Sequence, residues 1–121
     1  MGFSSHGFHT TSTWMLTNVQ ATPTLVISTT TVFYVVILDN RKNYRPTYFR
    51  LWNDNSVTWE SAVTDQIQIR VGAKEKKTVL FDRQTGITFA NGISVNATQE
   101  RSDTLGVTSP FKQFDALLYT N

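Results

Sequence analysis

The chain has 121 residues, 40% hydrophobic, 12% aromatic and only 17% charged, with a formal net charge of +2 and no cysteine. That length predicts one domain, large enough to bury a core without covalent staples. The missing cysteines exclude disulfides and thiolate metal sites, and an excess of two positive charges is too small to imply a nucleic-acid partner by itself.

Residues 1–12 are polar and rich in Gly, Ser, Thr and His, with Phe3 and Phe8 as isolated apolar anchors. They read as an extended N-terminal arm, and 13–121 as the folded domain. The opening Met-Gly-Phe-Ser-Ser-His has neither the basic start nor the apolar segment of a secretory signal. His6 also stands where a myristoylation pattern requires Ser or Thr. Strand signals follow. Segment 13–20 carries Trp14 and Leu16, and 24–29 carries Leu25 and Ile27, with Pro23 suited to a strand start or edge. Segment 31–39 is β-branched and aromatic on both faces, which predicts a central strand covered on both sides. Its apolar run, 32–38, is the longest in the chain and far short of the ~20 residues of a membrane span.

Residues 39–43 suit a turn. In 47–53, Phe49 and Leu51 alternate with Tyr48, Arg50 and Trp52, and 54–65 is a long loop that Val57, Trp59 and Val63 could pin down. The cleanest alternation is 66–71, with Ile67, Ile69 and Val71 inward and Gln66, Gln68 and Arg70 outward. A charged turn, 72–77, leads to 78–82 with Val79 and Phe81. Segment 85–98 alternates twice, Ile87 and Phe89 before a turn or kink at Asn91-Gly92, then Ile93, Val95 and Ala97. Its other positions, Thr88, Ser94, Asn96 and Thr98, are expected in solvent. A loop at 101–110 and a last segment, 111–119, close the chain.

Eight or nine short strands at regular spacing, in a composition rich in Thr, Val, Asn and Phe, predict an all-β fold. The expected form is a single antiparallel β-sandwich, jelly-roll-like. Helix competes only as one turn within 53–65 and in 111–118. The expected core comprises Phe33, Val35, Ile37, Phe49, Leu51, Ile67 and Ile69, continued by Val79, Phe81, Ile87, Phe89, Ile93 and Val95.

Catalytic chemistry is hard to place. His6 and His9 are the only histidines, both in the arm, and a rigid metal site needs at least a third ligand. The nine acidic residues are dispersed, mostly at turns, without the converging pair of a glycosidase. No phosphate-cradling glycine loop or nucleophile elbow occurs. The expectation is a protein that is not an enzyme and needs no cofactor or metal. Asn96-Ala97-Thr98 fits the glycosylation pattern but reads as strand.

One constellation could recognise a ligand: Arg41, Lys42, Tyr44, Arg45, Tyr48, Arg50 and Trp52. Cations interleaved with aromatics suit single-stranded nucleic acid, and Tyr and Trp beside Asn and Arg suit sugar stacking. The favoured reading is a strand whose aromatics pack on a partner protein, since Arg and aromatics are enriched at such contacts. A homo-oligomer is then expected, with Trp14, Tyr44, Tyr48, Arg50, Trp52 and Trp59 at subunit contacts and Phe3 and Phe8 seated in a neighbour.

The order of segments resembles a known group. Val-Phe-Tyr-Val-Val-Ile-Leu-Asp-Asn (32–40) is followed by an aromatic leading to Leu-Trp-Asn (51–53) and a Thr/Ser loop. Then come Ile-Gln-Ile-Arg-Val-Gly-Ala (67–73), Val-Leu-Phe (79–81) and Gly-Ile-Thr-Phe-Ala-Asn-Gly-Ile-Ser-Val-Asn-Ala-Thr (86–98). This is similar to small β-sandwich virion proteins of tailed bacteriophages, particularly those of aquatic hosts. The likeness covers 31–98, and 81–93 is its distinctive part. It implies a capsid decoration (cement) protein, or a neck or tail accessory, found in the virion and assembled in the host cytoplasm. It also implies other virion proteins as partners, the major capsid protein first among them, and a trimer. The charged turn at 74–77 and the N-terminal arm depart from the pattern, at places where binding to a particular capsid would be encoded.

Overall fold

The computed structural model describes residues 12–54, 66–81, 86–99 and 108–121. Phe3, Phe8, His6, His9 and Trp59 therefore lie outside the described residues. Nine strands run in chain order: β1 (Ser12–Leu16), β2 (Thr24–Ile27), β3 (Thr31–Asp39), β4 (Thr47–Trp52), β5 (Gln66–Val71), β6 (Lys76–Leu80), β7 (Ile87–Phe89), β8 (Ile93–Thr98) and β9 (Asp115–Thr120). No helix occurs among the described residues. The segment 111–118, where a helix could have competed, enters β9 instead. β1 takes in Ser12, which the arm was expected to include.

The strands form two sheets with antiparallel ladders throughout. The front sheet runs β1-β9-β3-β6, with β7 also paired to β3, and the back sheet runs β2-β8-β4-β5. Setting the short β7 aside, successive strands lie front, back, front, back, back, front, back, front, the winding of an eight-stranded jelly roll. The predicted fold class is the observed one. β6 and β7 lie end to end along one edge of β3, β6 on Val35–Asp39 and β7 on Thr31–Phe33.

Period-two alternation turns Phe49 and Leu51 of β4, Val95 and Ala97 of β8, and Ala116 and Leu118 of β9 into the space between the sheets, where all are buried. Phe33 lies at its centre, its ring 5.2 Å from that of Phe81 and 6.0 Å from that of Phe89. Such aromatic pairs contribute about 0.5–1.5 kcal/mol beyond their burial. Of the expected core, Phe33, Phe49, Leu51, Ile69, Phe89, Ile93 and Val95 are buried there, while Ile67, Val79, Phe81 and Ile87 pack half-buried against it.

Ile37 is a correction, and Val35, buried as expected at 4% exposed, lies outside the cluster between the sheets. The ladder from β3 to β9 shifts register between Phe33, opposite Thr120, and Val35, opposite Tyr119. The extra residue, Tyr34, is a bulge, and one inserted residue reverses the faces of everything after it. Past it, Val36 and Leu38 enter the core, and Val35 and Ile37 turn to the outside of the front sheet.

Ser94, Asn96 and Thr98 are a second correction. They do alternate away from the core, but the outer face of the back sheet is itself covered, and all three are buried. Asn96 Nδ2 donates to the carbonyl of Ala21 in the β1–β2 connection, and Ser94 Oγ donates to the carbonyl of Asp54. Between the sheets the chain crosses at Asn91-Gly92. Gly92 has φ +96°, and a Cβ there would stand 2.3 Å from the Ile27 carbonyl oxygen, so the crossing demands glycine.

Candidate interaction site

Three segments meet at one end of the sandwich: 40–46 between β3 and β4, 72–75 between β5 and β6, and 108–114 ahead of β9. Two asparagines tie them. Asn40 is fully buried, and its Nδ2 donates to the carbonyls of Arg45 (3.0 Å) and Gly72 (2.9 Å) while its Oδ1 accepts from Thr47 Oγ1 (2.8 Å). Asn43, also buried, donates through Nδ2 to the carbonyls of Lys112 and Gln113 and accepts at Oδ1 from the Lys112 N–H (2.6 Å). The carbonyl of Asn43 accepts from the Lys74 N–H at 2.9 Å. Short amide side chains that bond to backbone suit such a junction, and every one of these buried polar atoms has partners.

The junction holds Tyr44 and Phe111 outward, 77% and 79% exposed. With Arg45, Asn43, Thr47 and Gln99 they line a cavity of about 440 Å³. Lys74 Nζ lies 4.0 Å from the Tyr44 ring centroid and Lys112 Nζ 5.3 Å from that of Phe111. Lys74 has φ +62°, the left-handed region that non-glycine residues enter uncommonly. Beside this group, Arg41 pairs with Asp39 at 2.9 Å, and its guanidinium holds the Asp39 carboxyl below the usual carboxylate range. Lys42 Nζ donates to Gln113 Oε1.

The structure thus divides the constellation read from the sequence. Tyr44 and Arg45 line the cavity, and Arg41 and Lys42 stand on the same loop outside its lining. Tyr48 is half-buried on β4, while Arg50 and Trp52 are each 1% exposed. Arg50 Nη1 donates to Thr98 Oγ1, and Trp52 Nε1 to Asn96 Oδ1, within the covered outer layer of the back sheet. These two side chains do not reach a ligand or partner in solvent, which corrects their assignment to the surface. Trp14 is half-buried against the core, with Nε1 donating to Thr120 Oγ1. The sequence reading missed Phe111, Lys74 and Lys112 as members of the group. The charged turn at 72–77 is the available signal for Lys74; Phe111 heads the last segment, 111–119, but lies ahead of β9, which begins at Asp115.

A second surface is apolar. On the outside of the front sheet, Met15, Leu117 and Ile37 lie on one rung across β1, β9 and β3, and Tyr119, Val35 and Leu80 on the next across β9, β3 and β6, with Val35 itself buried. Met15 is 63% and Leu80 54% exposed. An antiparallel sheet with one face to solvent normally makes that face polar. A second hollow, about 600 Å³, opens between edge strands β1 and β2 over Trp14, Leu16 and Val95. Among the described residues no group of three or more His, Cys, Asp or Glu is placed to hold a metal ion. No helix among them is long and apolar enough to cross a membrane.

No family model matches the chain, and no curated protein matches its sequence.

Proposed function

We propose that this chain is a non-enzymatic structural subunit of a tailed-phage particle, a capsid decoration protein that binds other virion proteins and its own copies. The observation that carries the reading is the apolar outer face of the front sheet, where Met15, Leu117, Ile37 and Leu80 occupy positions that solvent-facing strands give to polar residues. Apolar surface of this kind, rimmed by Asp39, Asp115 and Lys76, marks a protein contact. The jelly roll agrees with it, being an architecture of viral capsid proteins, although lectins share it. Fold alone assigns no activity, so the phage assignment rests on the order of motifs from 32 to 98. The major capsid protein is the first partner, a trimer is the state the resemblance implies, and a neck or tail position would use the same face.

Sedimentation velocity on the purified protein, paired with mass spectrometry of purified particles, tests this reading. The wild type sediments as an oligomer at micromolar concentration, the double variant Met15→Asp/Leu80→Asp sediments as a folded monomer, and the protein is found in the particle. Absence from purified particles would refute the assignment. A sugar- or nucleic-acid-binding module is the rival, and it draws on the exposed Tyr44 and Arg45.

A further inference from the structure

Tyr44 and Phe111 are the two most exposed large apolar side chains among the described residues, and both line the 440 Å³ cavity. Several of the polar groups lining it are already engaged. Asn43 holds the 108–114 segment through both ends of its amide, Thr47 Oγ1 donates to Asn40, and Gln99 Nε2 donates to the Ser109 carbonyl at 2.8 Å. What the cavity offers an incoming group is therefore two aromatic rings and the cation Arg45, with Lys74 and Lys112 outside its lining but held against the Tyr44 and Phe111 rings. No carboxylate stands among its described lining residues, and no described carboxylate pairs with these three cations. The ligand class this selects is anionic and partly apolar.

Three kinds of ligand compete. A sugar is recognised by several free hydrogen-bonding groups, and most of those lining the cavity are spent on holding loops together. A nucleic-acid base stacks on a ring face, and Lys74 Nζ, 4.0 Å from the Tyr44 ring centroid, already occupies one of the two faces of that ring. A carboxylate meets that ammonium where it stands, leaving the cation–π contact in place. The left-handed backbone at Lys74, bonded to the Asn43 carbonyl, holds this lysine at a position glycine or asparagine would occupy at lower cost. We infer that this end of the sandwich docks an extended acidic segment of a protein partner, its carboxylates on Arg45, Lys74 and Lys112 and its apolar side chains between Tyr44 and Phe111. The inference rests on the reading of the chain as a protein that works by contacts with other proteins, and it names the chemistry of one partner.

The probe is a fluorescein-labelled peptide of about a dozen residues, Asp and Glu alternating with Pro and Leu, followed by anisotropy at low and moderate salt, with oligothymidylate as competitor. The peptide binds and weakens as salt screens the cations. Tyr44→Ala/Phe111→Ala and Lys74→Gln each weaken it by at least about tenfold, as truncation of an anchoring contact does. Arg41→Gln, whose wild-type side chain pairs with Asp39 outside the lining, leaves it unchanged. The mutated side chains are exposed, and unaltered thermal unfolding shows that each variant folds. No binding, equal binding by all variants, or oligothymidylate bound more tightly with the same dependence on Tyr44 would overturn the inference. Failure of the peptide with the protein still present in particles overturns the docking site alone, whereas peptide binding by a protein absent from particles overturns the virion reading alone.

Discussion

Neighbouring residues on β3 give the sharpest test of the packing. Leu38 is buried between the sheets, and Ile37, one residue earlier, is half-buried on the outside of the front sheet. Truncating either to Ala removes three carbons. At about 0.8 kcal/mol per buried methylene, the three are worth about 2.4 kcal/mol when fully buried. Leu38→Ala adds a cavity term because the packed interior relaxes only in part, bringing the loss to about 2.7–5 kcal/mol. Ile37→Ala forfeits roughly half the transfer contribution, about 1 kcal/mol, and leaves no sealed cavity because water fills the space. Urea unfolding of both variants measures the difference, at protein concentrations low enough that assembly adds no stability. An unchanged slope with a much lower midpoint for Leu38→Ala is expected. Should Ile37→Ala cost as much as Leu38→Ala or more, the bulge at Tyr34 and the face reversal after it are wrong.

Three further outcomes follow from single positions. Gly92→Ala forces a side chain into φ +96° and against the Ile27 carbonyl; it costs at least about 1–3 kcal/mol from backbone strain, read as a lowered thermal midpoint, and near-neutral behaviour would contradict the crossing geometry. Asn40→Ala strips the acceptor from Thr47 and the donor from the Arg45 and Gly72 carbonyls. A loss of about 1–3 kcal/mol is expected, with faster amide exchange in 40–46 and 72–75, and unaltered exchange there would remove Asn40 as the junction's tie. Arg41 lowers the pKa of Asp39, so this pair contributes stability above the ordinary carboxylate pKa of about 4, and that contribution is lost as pH falls through the lower folded value. Asp39→Asn therefore costs under about 1 kcal/mol at neutral pH, being a surface pair, and its difference from wild type vanishes in acid; a difference that grew on acidification would contradict the sign.

Much of the fold was legible because several strands have one apolar and one polar face. β5 and β8 alternate without interruption, so their core residues could be read directly. β3 could not be read this way: with every residue from Val32 to Leu38 apolar, a slip of one leaves no mark in the pattern. The outer face of the back sheet failed for a different reason. Arg50, Trp52, Ser94 and Asn96 were rightly assigned away from the core, but alternation separates the two faces of a sheet and does not say whether another segment lies over the second. Part of the candidate site lay within reach, since Tyr44 and Arg45 sit in a loop that composition singled out. Its remaining members come from 72–75 and 108–114, brought to Tyr44 by the jelly-roll winding and by Asn40 and Asn43, contacts between distant residues that no local pattern encodes.

The most direct measurement is a density map of the intact phage particle at a resolution that traces strands. The map should show this sandwich in regular copies, with Met15, Leu117 and Leu80 against a neighbouring subunit. A particle lacking the protein, or holding it with that face open to solvent, would contradict the assignment.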